Sequence, residues 1–504
     1  MEPTLGQLLS NRAYLSPDKE AFVGPGYRYT FAQVDQRVHN LAHYFIAHGV
    51  ERGDRIAIIA KNGEFHATSV LAAARIGAIA VVVNWRLPAP ELHYILTNSS
   101  AKVVAYESDF TATVVALEHE IPATVFVCNQ DNGIADSYTS IVEVVLGEVE
   151  VDTEVTGDDA TAIVYTSGTT GKPKGAVLSH SNLYWSAHAT SCTIEWNTSH
   201  RFLLVAPMFH IGGLNPLITN ILKGCPTIFM PDFDPVEVWN VIARERITTM
   251  MSVPVMLRAM LHVARTVDVD TSTLFSITCG ASAVPPELIA AFDEMDVKIQ
   301  VVYGITEFSG GLSFWTPSMG VDSVNSQGKV LLHGQAKIVD LENQQEVLRG
   351  TAGEVWCSGP MVFKGYWANQ EATDAVIVEG WYRSGDVGFV DDDGFIYLKD
   401  RVKDMIISGG ENIYPAELEA ALSEHEAIAE VAVVGKQDPT WGEIPVAHVI
   451  VRPGFALTDQ DVIDFCKQRL ASYKCVKEVM FPDLLPKNSV GKVLKRQLRL
   501  ADAN

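Results

Sequence analysis

The run YTSGTTGKPKG, residues 165–175, packs three glycines, four serine and threonine hydroxyls and two lysines into eleven positions. Glycine lets the backbone turn its N–H groups toward an anion, the hydroxyls add donors, and lysine adds compact positive charge, so the run reads as a phosphate-holding loop. The apolar residues ATAIVY at 160–165 predict a buried strand feeding it. A plain turn requires neither the two lysines nor that strand. The G-x-x-x-x-G-K-[ST] loop of nucleotide hydrolases is disfavoured, because Thr166 stands where its first glycine belongs and Pro173 follows Lys172.

A chain of 504 residues exceeds what one core usually fills, so two or more domains are expected. Its net charge of −23 argues against nucleic acid or an anionic membrane as the main partner. The longest apolar stretch, residues 70–83, is broken by Arg75 and is too short to cross a bilayer. The first six residues carry no basic region or apolar run of a secretory signal. Seven scattered cysteines without a CxxC pair suit a reduced cytoplasm and argue against a zinc site.

Working outward, Phe31, Val34, Val38, Leu41 and Phe45 define one face of a helix over 31–48. RIAIIA at 55–60 predicts a strand, residues 70–76 a helix and AIAVVVN at 78–84 a second strand, an order that favours parallel sheets covered by helices. Further strands are expected at 227–233 and 249–253 around a helix over 235–244. Residues beyond 404 read as a small α/β unit with strands at 405–408, 430–435, 446–451 and 478–481 and helices at 415–424 and 458–470.

Several short segments carry chemistry. In LLVAPMFHIGG, 203–213, a strand delivers His210 beside a flexible glycine pair, which reads as a pocket wall or as a structural histidine. In SITCGASAV, 276–284, the small residues Gly280, Ala281 and Ser282 permit close approach of a flat ring, or make a tight turn before Pro285. VVYGITEFSGG, 301–311, offers Tyr303 for stacking, Thr306 for a phosphate hydrogen bond and Glu307 for Mg²⁺, a hard cation that prefers carboxylate oxygen. Asp386, in a Gly-Asp turn, is an acceptor for two ribose hydroxyls or a routine turn residue. Asp391, Asp392 and Asp393 read as a solvated hairpin tip. In PKNSVGKVLKRQL, 486–498, Lys492 follows a glycine, and Lys487, Lys495 and Arg496 read as solvated.

Together with GEVWCSGPMVFKGYW at 353–367 and DRVKDMIISGGENIYPAELEAAL at 400–422, these motifs in this order resemble the adenylate-forming superfamily of acyl-CoA synthetases, luciferases and peptide-synthetase adenylation domains. The resemblance implies an α/β fold with a large N-terminal domain, 1–399, of stacked mixed and parallel sheets with helices. A hinge at 400–404 pivoting on Lys403 would join it to a small mobile α+β lid, 405–504. It implies ATP contacts at Thr166, Ser167, Gly168, Thr169, Thr170, Lys174, Gly280, Ala281, Ser282, Tyr303, Gly304, Thr306, Asp386 and Arg401, and Mg²⁺ on Glu307. Lys492, Thr306, Glu307 and His210 would be catalytic, Ser408, Gly409 and Gly410 would line a CoA tunnel, and His210, Gly212, Gly280, Gly304, Phe308 and Gly310 would shape an acyl pocket, helped by Leu312.

The implied reaction joins a carboxylic acid to CoA, with ATP converted to AMP and pyrophosphate. Gly212, two residues after the pocket histidine where some aryl ligases carry an aromatic, predicts a roomier pocket and a medium- to long-chain fatty acid. The run at 400–419 resembles fatty-acyl-CoA and feruloyl-CoA synthetases alike, so an aryl or cinnamate-type acid is the alternative. A carrier-protein-loading or luciferase-like enzyme is a further one, and a homodimer is left open. A nucleotide- or acyl-binding protein without catalysis would be expected to lack Lys492 or Glu307, and both are present.

Overall fold

The computed structural model describes residues 4–144, 154–166, 172–408, 411–471, 474–487 and 492–502. They form two compact units, one of residues 1–336 and 357–383, the other of 337–356 and 384–504. The 400–404 segment lies inside the second unit.

The first unit contains two large sheets. In one of eight strands, Ile79–Val82, Arg55–Ile59, Val103–Tyr106 and Val125–Cys128 run parallel, with Ala80 opposite Ile56 and Val104 opposite Ala57. Their side chains are buried almost without interruption, as continuous apolar runs require when both sheet faces are covered. The predicted strand before the glycine-rich run is present as Ala160–Thr166. It pairs antiparallel with Lys174–Ser179, Thr166 facing Lys174, so the run closes a hairpin instead of opening a helix. The second sheet, of nine strands, includes Phe202–Leu204, Thr249–Ser252, Ser276–Cys279 and Lys298–Ile305, parallel to one another, followed by antiparallel Gly310–Trp315.

The helix Phe31–Ala47 buries the predicted face, and Thr30 with Gln33 closes its first turn as a capping box. The helix expected at 70–76 starts earlier, at Glu64, and runs to Arg75. Its first turns hold Glu64, His66, Thr68 and Ser69, buried polar residues that hide the apolar period, and Glu64 and Ser69 are paired internally. Arg37 Nε lies 2.6 Å from Glu64 Oε1, Tyr138 donates its hydroxyl to the same oxygen, and Ser69 Oγ donates to Phe65 O at 2.7 Å.

In the second unit, Gly442–Val451 forms a hairpin with Ile428–Asp438, and its other edge takes antiparallel Ile406–Ser408 at Gly442 and parallel Glu478–Met480 at Val446–His448. Helices Pro415–Ser423 and Asp459–Lys467 bury Leu418, Leu422 and Val462 with Val433 and Val449. Residues of the opposite parity, Ala432, Val434 and Val446, pack with Leu498 of a helix not expected from sequence, Lys495–Asp502. That helix corrects the solvated reading of Lys495, whose Nζ pairs with Glu419 at 2.8 Å with the lysine side chain 15% exposed. Lys487 is exposed, as expected, and pairs at the surface with Glu430 at 2.6 Å.

Burial holds the imidazoles of His66, His180 and His210 down to about 4 from an ordinary 6.5. Between those values the unfolded chain binds protons that the folded chain refuses, so stability is lost as pH falls from 6.5 toward 4 and levels off below. The thermal midpoint of the purified protein is expected to drop between pH 7 and pH 4.5, with proton uptake on unfolding; a midpoint constant over that range would contradict this assignment.

Candidate active site

In the first unit the site is built around the base of the glycine-rich hairpin. A Cβ on Gly175 would stand 2.7 Å from Ile163 Cγ2, so the hairpin closes at that point only with glycine. Trp367 N–H donates to Gly175 O at 2.7 Å, and Tyr366 lies in the short strand beside it, opposite Ala176. Tyr366 donates its hydroxyl to Glu307 Oε1 at 2.7 Å, and Lys174 Nζ sits 5.1 Å from the centre of its ring. Glu307, 8% exposed, rides on the one-turn helix Thr306–Phe308, and its carbonyl accepts Phe363 N–H at 2.9 Å.

Tyr366 therefore joins two predicted residues, Lys174 and Glu307, that lie far apart in sequence. It was present in the quoted run 353–367 without an assigned role; only the pairing of its strand with Lys174–Ser179 reveals the contact. Tyr382 adds to the same pocket: burial and then the Glu307 charge push its phenol well above the ordinary range. A nearly buried carboxylate beside a lysine-bearing loop fits Mg²⁺, which is held by one or two carboxylates and completed by phosphate oxygens and water. Among the described residues no cluster of three acidic, histidine or cysteine side chains forms an all-protein metal cage. Thr166 and Thr306 are half-buried, whereas Ser167, Gly168, Thr169 and Thr170 lie outside the described residues.

His210 is delivered by the Phe202–Leu204 strand and the turn after it. Asn62, which the sequence reading missed, holds that turn: its amide donates to Ala206 O at 3.0 Å, Leu204 O at 3.3 Å and Met230 O at 3.4 Å, and its oxygen accepts Met208 N–H at 2.9 Å. His210 then caps the helix Ile211–Lys223. The glycine pair expected to be flexible is the first turn of this helix, and Gly213 is dictated by packing, since a Cβ there would meet Pro207 O at 2.3 Å. His210 Nε2 is shielded from solvent with no protein partner, and burial, then the Arg86 charge, keeps the ring neutral.

The pocket expectation at Gly212 is corrected. A Cβ on Gly212 would lie 3.3 Å from Met251 Cε, so the space left by the missing side chain is filled by a thioether. Gly310, at φ 140°, adjoins Ser186 and Asn215, which both donate to Ser309 O. Phe308 is fully buried and packs behind the surface. Gly280 is needed by the sheet, because its Cβ would meet Val302 O at 2.6 Å; Ala281, at φ 68°, and Ser282 are exposed next to it. Tyr303 is buried in its strand, and Gly304 is exposed.

The second unit gathers a separate set. Asp386 and Arg401 face each other across the hairpin formed by Trp381–Val390 and Ile396–Arg401, with Arg401 Nε 2.5 Å from Asp386 Oδ1. Asp386 is 5% exposed. Lys403 and Lys492, both exposed at the surface, join them: desolvation by the surrounding protein and then Arg401 lower the Lys492 ammonium, Lys403 lowers it further, and the Asp386 and Asp404 carboxylates oppose. Lys403 is lowered chiefly by the same desolvation, against the attraction of Asp404. Lys492, Arg401, Lys403 and Asp386, predicted from separate motifs, are thus electrostatic neighbours. Ser408 is half-buried at a strand end opposite Gly442, and Gly409 and Gly410 lie outside the described residues.

A lysine-bearing hairpin beside a buried carboxylate, on this two-sheet body, belongs to a protein of mixed α/β class. The family model described as AMP-binding enzyme matches residues 9–367, and that for the AMP-binding enzyme C-terminal domain matches 417–492. The chain belongs to the AMP-binding enzyme family. It is 35% identical over 500 residues to a long-chain-fatty-acid–CoA ligase of Mycobacterium tuberculosis and 34% identical over 502 residues to a feruloyl-CoA synthase of Amycolatopsis, with 98% of each chain covered in both comparisons. Its fold matches that of o-succinylbenzoate CoA synthetase from Bacillus subtilis solved with an acyl-adenylate intermediate, at TM-score 0.89, 30% identity and coverage of 99% of this chain and 98% of that one. The same synthetase solved with ATP and magnesium ion matches at TM-score 0.88 and 30% identity, over 97% of this chain and 98% of that one.

The Asn62 network gives a direct expectation. Asn62→Leu leaves several buried backbone groups unpaired and should cost about 1–3 kcal/mol or more of stability, measured by urea unfolding. A change in unfolding free energy near zero would show that water replaces the amide.

Proposed function

We propose that this enzyme is an ATP-dependent, AMP-forming acid–CoA ligase whose substrate is a medium- to long-chain fatty acid. The ligase class is supported by the family membership and by relatives named as CoA ligases over almost the whole chain. The observation that carries the mechanism is the Arg401–Asp386 pair at 2.5 Å, whose charges both act on Lys492. The division into an N-terminal domain, 1–399, a hinge at 400–404 and a lid, 405–504, belongs to the same reading. So does a cytoplasmic location, in keeping with seven cysteines that form no disulfide. Among the described residues no helix is long and apolar enough to cross a membrane.

In the first step an acid carboxylate attacks the α-phosphate of ATP and pyrophosphate leaves. Two anions approach each other, and the Lys492 ammonium spanning them lowers the repulsion and fixes the line of attack. Arg401 and Asp386 hold the nucleotide, Asp386 through the ribose hydroxyls. Thr306 and the hairpin loop, with Lys174, hold the phosphates. Glu307 would hold Mg²⁺, which when bound would supply charge stabilisation for the departing pyrophosphate. Neutral His210 borders the acid, where an imidazolium would compete for its carboxylate. In the second step the CoA thiol, led by Ser408, Gly409 and Gly410, attacks the activated carbonyl and AMP leaves; movement about Lys403 withdraws Lys492 and brings that segment in.

The fatty-acid assignment draws on the wall at Gly212. A methionine is unbranched and adaptable, so Met251 suits a flexible aliphatic chain better than a fixed aromatic ring. The feruloyl-CoA relative favours the second reading, an aryl or cinnamate-type acid. AMP release with ATP and Mg²⁺, across straight-chain, hydroxycinnamic, benzoic and alicyclic acids, with and without CoA, decides between them. CoA-dependent release confined to hydroxycinnamic acids would overturn the fatty-acid reading, and release indifferent to CoA would overturn the ligase reading. Lys492→Ala should slow adenylation on the order of a hundredfold or more while a supplied acyl adenylate still reacts with CoA; equal loss in both steps would remove its role. Met251→Phe should reduce kcat/KM for the longest accepted acid roughly tenfold or more, a scale available to hydrophobic fit, and leave short acids unchanged. An unchanged length profile would separate Met251 from the pocket.

A further inference from the structure

The segment that carries Lys492 is fastened at several points within the second unit. Leu494 N–H donates to Pro486 O at 2.8 Å, and Lys487 and Val493 form an antiparallel bridge, so the residues next to Lys492 are tied back to 486–487. The helix Lys495–Asp502 follows at once. Leu498 seats it on the central hairpin, and Lys495 ties it to Glu419 of helix Pro415–Ser423. A fourth fastening differs in where it leads. Arg499 Nη2 lies 2.9 Å from Asp404 Oδ1, and Asp404 belongs to the turn whose backbone closes on Arg401, its own N–H donating to Arg401 O at 2.9 Å. Of the four, this one alone connects the Lys492 segment to the turn bearing Arg401 and Lys403.

The charges make the connection specific. Asp404 is 9% exposed, and a carboxylate that nearly buried is costly without a partner. Both Lys403 and Lys492 feel its charge. With Arg499 removed, Asp404 would draw on one of those ammonium groups and pull it from its place. With Arg499 present, the carboxylate is engaged by a guanidinium held on a packed helix, one helical turn beyond Lys495.

We infer that the Asp404–Arg499 ion pair is a latch that positions Lys492 against Arg401 and Asp386 for the adenylation step. Arg499 and Asp404 are positioning residues, acting through Lys492 and touching neither substrate. The inference rests on the ligase reading above, in which Lys492 serves adenylation and not thioester formation. It therefore demands an asymmetric effect: a helix anchor of purely structural value would affect both half-reactions together.

The test uses the full-length protein and measures the half-reactions separately, as acid-dependent ATP–pyrophosphate exchange and as thioester formation from supplied acyl adenylate and CoA. Arg499→Met should lower exchange roughly ten- to a hundredfold, the scale of a misplaced catalytic group, in kcat more than in KM for ATP or acid. Thioester formation should stay within about twofold, since that step does not call on the misplaced group. Arg499→Lys, which keeps the charge, should recover most of the exchange, and Asp404→Asn should reproduce the Arg499→Met pattern should the latter fold poorly. Equal loss in both half-reactions, no loss in either, or an Arg499→Lys variant as slow as Arg499→Met would overturn the latch. Wild-type protein without acid-dependent exchange would overturn the ligase reading itself, whereas an active wild type with an unaffected Arg499→Met overturns only the latch.

Discussion

The hydrogen bond from Tyr366 to Glu307 is the contact on which the first unit's site depends. A carboxylate at 8% exposure must be hydrogen-bonded or paired to stay charged, and the Tyr366 hydroxyl at 2.7 Å meets that demand. It can do so only because residues 365–366 pair with the strand that returns from the glycine-rich loop. That pairing in turn needs Gly175, whose Cβ would strike Ile163. One glycine thus permits the hairpin to close, the closed hairpin binds the short strand, and the short strand holds the buried charge beside the phosphate loop. The same chain of contacts places Lys174 over the Tyr366 ring, where a cation and an aromatic face attract.

Much of this order was legible in the sequence. Strands announced by continuous apolar runs, such as 55–60 and 160–165, are present, because burial on both faces leaves no room for polar interruption. The face of Phe31–Ala47 was readable for the complementary reason that its outer side is polar. The helix from Glu64 was half hidden, since Glu64 is paired with Arg37 and Tyr138, which are distant in sequence, and Ser69 bonds to the carbonyl one turn back. Asn62 and Tyr366 were invisible for the same cause. Their partners lie in a one-turn helix and a turn far away in the chain, and no local pattern records such a bond. Lys495 looked solvated because its partner, Glu419, comes from a helix 76 positions earlier in the chain. Gly212 shows the limit of reading size from one residue, as the volume it vacates is claimed by Met251 from a neighbouring strand.

The second unit solves a different problem, the concentration of positive charge. Arg401, Lys403, Lys492 and Arg499 share one neighbourhood, and the carboxylates within it are Asp386 and Asp404. Each carboxylate is engaged by an arginine, Asp386 at 2.5 Å and Asp404 at 2.9 Å. Arginine suits that task because its guanidinium stays charged and presents a fixed fork, whereas lysine is a compact charge whose protonation responds to its surroundings. The arrangement separates two duties: arginines neutralise the protein's own carboxylates, and lysines answer to what arrives from outside.

That division explains why a lowered lysine is useful in such a place. Desolvation, Arg401 and Lys403 all disfavour the ammonium form of Lys492 in the bare protein, and only the two aspartates oppose them. An arriving carboxylate and phosphate change the balance, because each anion within a few ångströms favours the charged form. Substrate binding and Lys492 protonation are therefore linked in the same direction: whatever raises the lysine's proton affinity strengthens the hold on both anions. Keeping Asp404 on Arg499 preserves the difference between the bare and the loaded site, and that difference is the electrostatic contribution available to the reaction.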